Sequence, residues 1–243
     1  MRMLTFANRC AKEILRDPLN LMFGLGFPIV LLLLLSAIQA NIPAELFAIG
    51  HLAPGIGVFG LSFMTLFSAT LISRDRESAF LQRLYTTPLT PGDFIAGYTM
   101  PILPIAIMQS IVSYGIALLL GLPFTVNIVY AVLMICPIAV FYIALGLLCG
   151  SVFNVKQVGG ICGALLTNLS AWLSGVWFDL ALVGGIFEKI ANALPFVHAV
   201  QMEKALCAGH LAEAAAHLLP IALYGLLAVV AAVLCFLGQM KRQ

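Results

Sequence analysis

RDRESAFLQRLYTTPLT, Arg74 to Thr90, is the only long polar segment between two stretches apolar enough to cross a membrane. It carries three of the twelve basic residues, Arg74, Arg76 and Arg83. It also has an amphipathic pattern. Phe80, Leu81, Leu84 and Tyr85 share one helical face, and Arg76, Glu77, Gln82 and Arg83 surround it. A loop that only reverses the chain needs no apolar face. A short helix that lies across the membrane surface and docks into a partner does.

Working outward, the rest of the chain is 62% hydrophobic and 9% charged. Soluble domains carry roughly 25% charged residues, so this composition specifies an integral membrane protein. The net charge of +2 is too small to point to nucleic acid. No cleavable leader is expected, because the first seventeen residues are charged and amphipathic.

Six runs are long enough to span, at about 19–40, 52–73, 95–120, 128–151, 157–177 and 217–238. In hydrocarbon each must satisfy its own backbone, so each is expected to be helical. Pro101, Pro104 and Pro137 lie inside spans and predict kinks.

The basic residues orient the bundle. Arg2, Arg9, Lys12 and Arg16 precede the first span, and Arg74, Arg76 and Arg83 follow the second. Lys156 lies between the fourth and fifth, and Lys241 and Arg242 form the tail. Only Lys189 and Lys204 fall on the other side. Ten of twelve on one face place both termini in the cytoplasm of a multi-pass inner or plasma membrane protein.

Two flanking segments have their own character. Met3, Phe6, Ala7, Cys10, Ala11 and Ile14 repeat at three and four residues, which predicts an interfacial helix over 1–18 with its basic side toward anionic membrane lipid. The connection from 178 to 216 is longer than a turn needs. It is expected to form short re-entrant helices in the outer leaflet, with Glu188–Leu206 reading as one amphipathic helix interrupted by Pro195.

Other chemistry is sparse. There is no G-x-x-x-x-G-K-[ST] phosphate loop, so the chain does not bind ATP through one, and no cofactor is expected in it. No acid or base sits centrally in a span, as an ion-coupled carrier would need. Cys207, His210 and His217 could share a helical face, but Gly209 interrupts it, so no metal site is assigned. The six cysteines imply no disulfide. The spans offer mild polarity: Ser62, Thr65 and Ser68 in the second, and Asn168, Trp172 and Ser174 in the fifth. These are either interhelical hydrogen-bonding groups or a weakly polar path for an amphipathic substrate.

Three motifs resemble a known family. RDPLNLMFGLGFPIVLLLLL, Arg16 to Leu35, is similar to the entry into the first span of type 2 ABC exporter permeases. RDRESAFLQRLYTTPLT resembles that family's charged loop ending in Thr-Pro-Leu. Ser174 and Gly175, followed by Pro195, Phe196, His198 and Ala199, resemble its Ser-Gly and Pro-x-x-His-Ala pattern. Ala79 stands where the family often has Gly, and Asp179 where it often has Pro.

The resemblance implies a single permease domain over 1–243. Its fold would be all-α, with six transmembrane helices, the interfacial helix, a coupling helix within 74–93 and outer re-entrant helices over 178–216. It implies a second permease copy, as homodimer or heterodimer, and a separate ABC ATPase subunit. Phe80, Leu81, Leu84 and Tyr85 would enter a groove on that ATPase, with Arg76, Glu77 and Arg83 at the rim. Gly24, Gly26, Gly159, Gly160 and Gly163 would allow close approach at the dimer seam. The function implied is outward export of a drug-like or lipid-like amphipath, as in the multidrug efflux branch. The alternatives are polysaccharide or lipid-linked glycan export and, from another class, a membrane-embedded enzyme or stand-alone channel.

Overall fold

The computed structural model describes residues 2–42, 47–78 and 90–240. These are almost entirely helical. The helices are α1 (Arg2–Leu15), α2 (Pro18–Gln39), α3 (Ile49–Glu77), α4 (Pro91–Leu119), α5 (Val126–Val152), α6 (155–173), α7 (Leu180–Val183), α8 (Gly185–Ala193), α9 (Pro195–Ala208) and α10 (Leu211–Met240). Among the described residues, α2, α3, α4, α5 and α10 are long and apolar enough to cross a membrane. The fifth expected span corresponds to α6, which is helical but not among those five. It contains Lys156, Gln157 and Asn168, and its middle, Ile161–Leu166, is a π-helical turn. A second π turn, Met22–Gly26, sits in α2. Helices α4 and α5 run continuously through Pro101, Pro104 and Pro137.

Helix α3 is the axis of the bundle. Its apolar stretch is 89% buried, against 17% for α2 and 22% for α10. It packs against α5, α4, α9 and α2, and α5 in turn packs against α10. The α3–α5 seam is close because it is built from small residues. A Cβ on Gly146 would lie 1.9 Å from Ser68 Oγ and 2.3 Å from the Thr65 carbonyl oxygen. One on Gly150 would lie 2.6 Å from the Ala69 carbonyl oxygen. Glycines four apart on one helix face let two backbones approach, which suits an apolar medium where packing holds helices together. The hydroxyls then bridge the seam: Thr65 Oγ1 donates to the Tyr142 carbonyl at 2.8 Å and Ser68 Oγ to the Ile143 carbonyl at 3.1 Å.

The outer faces of α2 and α10 remain apolar and exposed. Leu219, Leu223, Leu226, Val230 and Leu234 form a stripe on α10. In a membrane protein such a stripe faces lipid or another chain. Helix α1, expected as an interfacial helix, packs its apolar face onto the bundle. Phe6, Ala7, Cys10 and Ile14 are buried, and Phe6 lies edge-on to Tyr98 of α4 at 4.9 Å. Gly97 makes the room, since a Cβ there would overlap the Phe6 ring.

At the opposite end, α7, α8 and α9 form the short helices expected from 178–216. The amphipathic stretch is two helices rather than one. Leu194 is extended, and Pro195 starts α9, where its missing N–H costs nothing. Gly209, at φ +85°, closes α9 in the left-handed conformation that favours glycine.

Candidate functional site

The segment chosen from sequence divides in two. Residues 79–89 lie outside the described residues, and with them Phe80, Leu81, Arg83, Leu84 and Tyr85. What the structure does describe is the stem that carries them. Helix α3 continues four residues past the expected span, through Arg74, Asp75, Arg76 and Glu77. At the other end of the segment, Thr90 caps α4. Thr90 Oγ1 accepts from the Asp93 N–H at 3.2 Å, and Asp93 Oδ2 accepts from the Thr90 N–H at 3.1 Å.

Each of the four consecutive charges on the stem engages a different part of the fold. Arg74 Nη1 lies 3.1 Å from Asp17 Oδ2, at the junction of α1 and α2. Asp75 is buried (1% exposed) and accepts from both Nη atoms of Arg9 on α1. It also accepts from the Tyr98 hydroxyl of α4 at 2.6 Å. Arg9 itself reaches Glu13 Oε2 at 2.7 Å.

Arg76 and Glu77 hold the connection between α5 and α6. Arg76 donates to the Ser151 carbonyl and to the Phe153 carbonyl at 2.7 Å, both at the carboxyl end of α5. Glu77 Oε1 accepts from the Val155 N–H at 2.9 Å, at the amino end of α6. Cation at one helix end and anion at the other match the helix dipoles and satisfy backbone groups left free at helix termini. The stem therefore ties α1, the α1–α2 junction, α4, α5 and α6 to the end of the central helix. Sequence reading placed Arg76 and Glu77 at the rim of a partner groove. In the described chain their side chains make these internal contacts.

The electrostatics follow from burial beside paired charges. Burial opposes the charge of Arg9, but hydrogen bonds and the charge of Asp75 outweigh it and raise the guanidinium further. Burial also pushes the Glu13 carboxyl up, with Arg9 opposing. The Cys10 thiol is pushed up to about 12, chiefly by burial, so it is an inert packing residue.

The candidate path residues separate into two groups. Ser62, Thr65, Ser68 and Ser174 are buried, and each donates to a backbone carbonyl: Ser62 to Phe59 at 2.7 Å and Ser174 to Ala171 at 3.1 Å, with Thr65 and Ser68 as described above. Asn168 and Trp172 lie exposed on one side of α6, Trp172 at 59%. Of the glycines expected at a seam between copies, Gly24 is already used within the chain, against Phe67 of α3. A Cβ on Gly159 or Gly160 would meet nothing within 4 Å.

The three residues weighed as metal ligands are not gathered. Cys207 donates to the Tyr114 hydroxyl at 3.4 Å, His210 faces Glu213 at 3.5 Å, and His217 pairs with His198 at 3.0 Å between Nδ1 atoms.

Residues 2–204, which hold the stem and the central helix, match the ABC-2 type transporter family. The chain belongs to the ABC-2 type transporter family. It is therefore a multi-pass membrane protein and a transmembrane component of an ABC transporter. Permeases of this family normally pair with an ABC ATPase subunit. No curated protein matches the chain.

Proposed function

We propose that this ABC-2 permease is the transmembrane subunit of an ATP-driven exporter that moves a drug-like or lipid-like amphipath outward. ATP and Mg are bound by a separate ABC ATPase subunit. The permease works as a dimer, with six crossings per copy, α6 completing the set, and both termini in the cytoplasm of the inner or plasma membrane. The observation that carries this reading is the stem. The segment whose sequence repeats apolar residues at Phe80, Leu81, Leu84 and Tyr85 follows directly on Arg74–Glu77, and those four charged side chains contact five parts of the fold, so a push on the segment would reach the bundle through charged contacts.

In this mechanism Phe80, Leu81, Leu84 and Tyr85 enter the ATPase groove, and Arg83 sets register at the rim. Arg76 and Glu77 pass the displacement to the α5–α6 connection, and Asp75 passes it to α1 and α4. Helix α6 is built to yield. Its π turn already departs from ideal α-helix geometry, and its exposed side carries Asn168 and Trp172, the two mildly polar side chains open to a substrate. Of the buried hydroxyls on α3, those of Thr65 and Ser68 hold the α3–α5 seam instead.

Leu84→Asp tests the reading. A carboxylate on the docking face would be buried unpaired, at a cost of several kcal/mol. ATPase co-purification and ATP-driven export should both fall while the amount of permease in the membrane stays normal. Unchanged ATPase association would remove the proposal.

A further inference from the structure

Helix α9 carries a carboxyl group that the mechanism above does not use. Glu203 is fully buried. Its Oε2 accepts from the Tyr114 hydroxyl of α4 at 2.6 Å, and its Oε1 has no hydrogen-bond partner. Cys207, one turn along α9, donates to the same Tyr114 oxygen. Adjacent Lys204 turns away to the Gly175 carbonyl, at 3.3 Å.

No cation among the described residues pairs with Glu203. The other titratable groups on α9 and on the elements packed against it are engaged elsewhere or exposed. On α10, His217 pairs with His198 of α9, Glu213 faces His210, and Tyr224 donates to the Ala193 carbonyl. On α5, Tyr142 bonds to Ser170 of α6, and Tyr130 is exposed. His51 at the start of α3 and Lys189 on α8 are exposed, and Glu188 is partly so.

A carboxylate is an acceptor at both oxygens and is strongly destabilised where only one is satisfied and no water reaches it. The neutral acid carries its own proton and tolerates the site. Burial accordingly lifts the group to about 8, with the Tyr114 hydrogen bond opposing.

We propose that Glu203 is a proton-binding site of the outer cap formed by α7, α8 and α9, loaded while α9 is packed and emptied when α9 moves out, so that opening the cap releases one proton. The assignment to the outer side rests on the orientation proposed above; the proton site itself does not. Once hydrated, Glu203 returns to an ordinary carboxyl value of about 4.3. Between that value and 8 the packed form holds one proton more than the open form. Opening then becomes about tenfold more favourable per pH unit as pH rises through this window, and it is independent of pH on either side. Acid holds the cap shut.

Cys207 is a native reporter of α9, because its thiol is partly buried against the Tyr114 hydroxyl in the packed state. The purified complex with its ATPase, in detergent, is pulsed with a maleimide from pH 5.5 to 7.5, and labelling of Cys207 is read by peptide mass spectrometry. Leu182→Cys, on exposed α7, corrects for thiol chemistry. The corrected rate should rise about 100-fold across that range. It should be flat in Glu203→Gln, which keeps the Tyr114 hydrogen bond. Tyr114→Phe removes a bond that favours the charged form, so the upper end of the pH window should move up. A flat wild-type profile, or a Glu203→Gln profile matching wild type, overturns the proposal. Because detergent removes sidedness, neither outcome depends on the export direction.

Discussion

Gly146→Ala adds one methyl group at the tightest point of the bundle. Its carbon would stand 1.9 Å from Ser68 Oγ, 2.3 Å from the Thr65 oxygen and 2.9 Å from Thr65 Cα. Ser68 can rotate away, but the Thr65 backbone cannot. Helices α3 and α5 must therefore separate by about 1 Å, and overpacking of this kind costs roughly 1–3 kcal/mol. The separation also weakens the Thr65 and Ser68 hydrogen bonds to Tyr142 and Ile143, worth about 0.6 kcal/mol each within a membrane. Alanine's better helix propensity returns about 1 kcal/mol. The net loss is about 2 kcal/mol, or roughly 4–8 °C in Tm for a chain of this size. Thermal unfolding in detergent, followed by thiol exposure, measures it. Gly115→Ala is the internal control, since a Cβ there meets nothing within 4 Å; it should be neutral or slightly stabilising. Equal Tm for the two variants would refute the claim that α3 and α5 are held at glycine contact distance.

Further outcomes follow from the stem and α6. Arg9→Ala leaves Asp75 buried with only Tyr98 as donor and should cost about 3 kcal/mol, the low end for a broken buried pair because Arg9 is 36% exposed; adding Asp75→Asn should recover most of it in a double-mutant thermal cycle. Arg76→Ala should lower export far more than it lowers Tm, since it frees the α5–α6 connection while the seam stays intact; equal loss of both would make Arg76 a stability residue only. Trp172→Ala should weaken substrate stimulation of the ATPase without changing Tm, whereas Thr65→Ala, which removes the hydroxyl bond to the Tyr142 carbonyl, should lower Tm by a few degrees with no change in KM.

Much of the architecture was legible because it follows from local pattern. Long apolar runs marked the five helices long and apolar enough to span, with ends shifted by a few residues, while the expected span at 157–177 is a helix that is not among them; the three-and-four repeat marked α1. The strength of the α1 packing was not legible, because it depends on Gly97 and Tyr98, which lie about ninety residues away. The stem shows the same limit. Arg76 and Glu77 read in sequence as the rim of a partner groove, yet each of the four adjacent charges finds a partner on another element, and sequence spacing carries no trace of that pairing. Gly146 and Gly150 do carry a signal, a Gly-x-x-x-Gly in an apolar span. Glu203 was hidden for a different reason. An acid in an amphipathic outer segment is ordinarily solvated, and only the fold shows that its face turns inward to Tyr114.

The central claim is that residues 79–89 dock an ATPase. A photoreactive amino acid in place of Leu84, in the intact membrane complex, tests it at the proposed contact. The account predicts a cross-link to an ABC ATPase subunit, mapped by peptide mass spectrometry to a groove on that subunit and lost when Phe80 and Leu81 are both replaced by aspartate. Cross-links to lipid alone would contradict it.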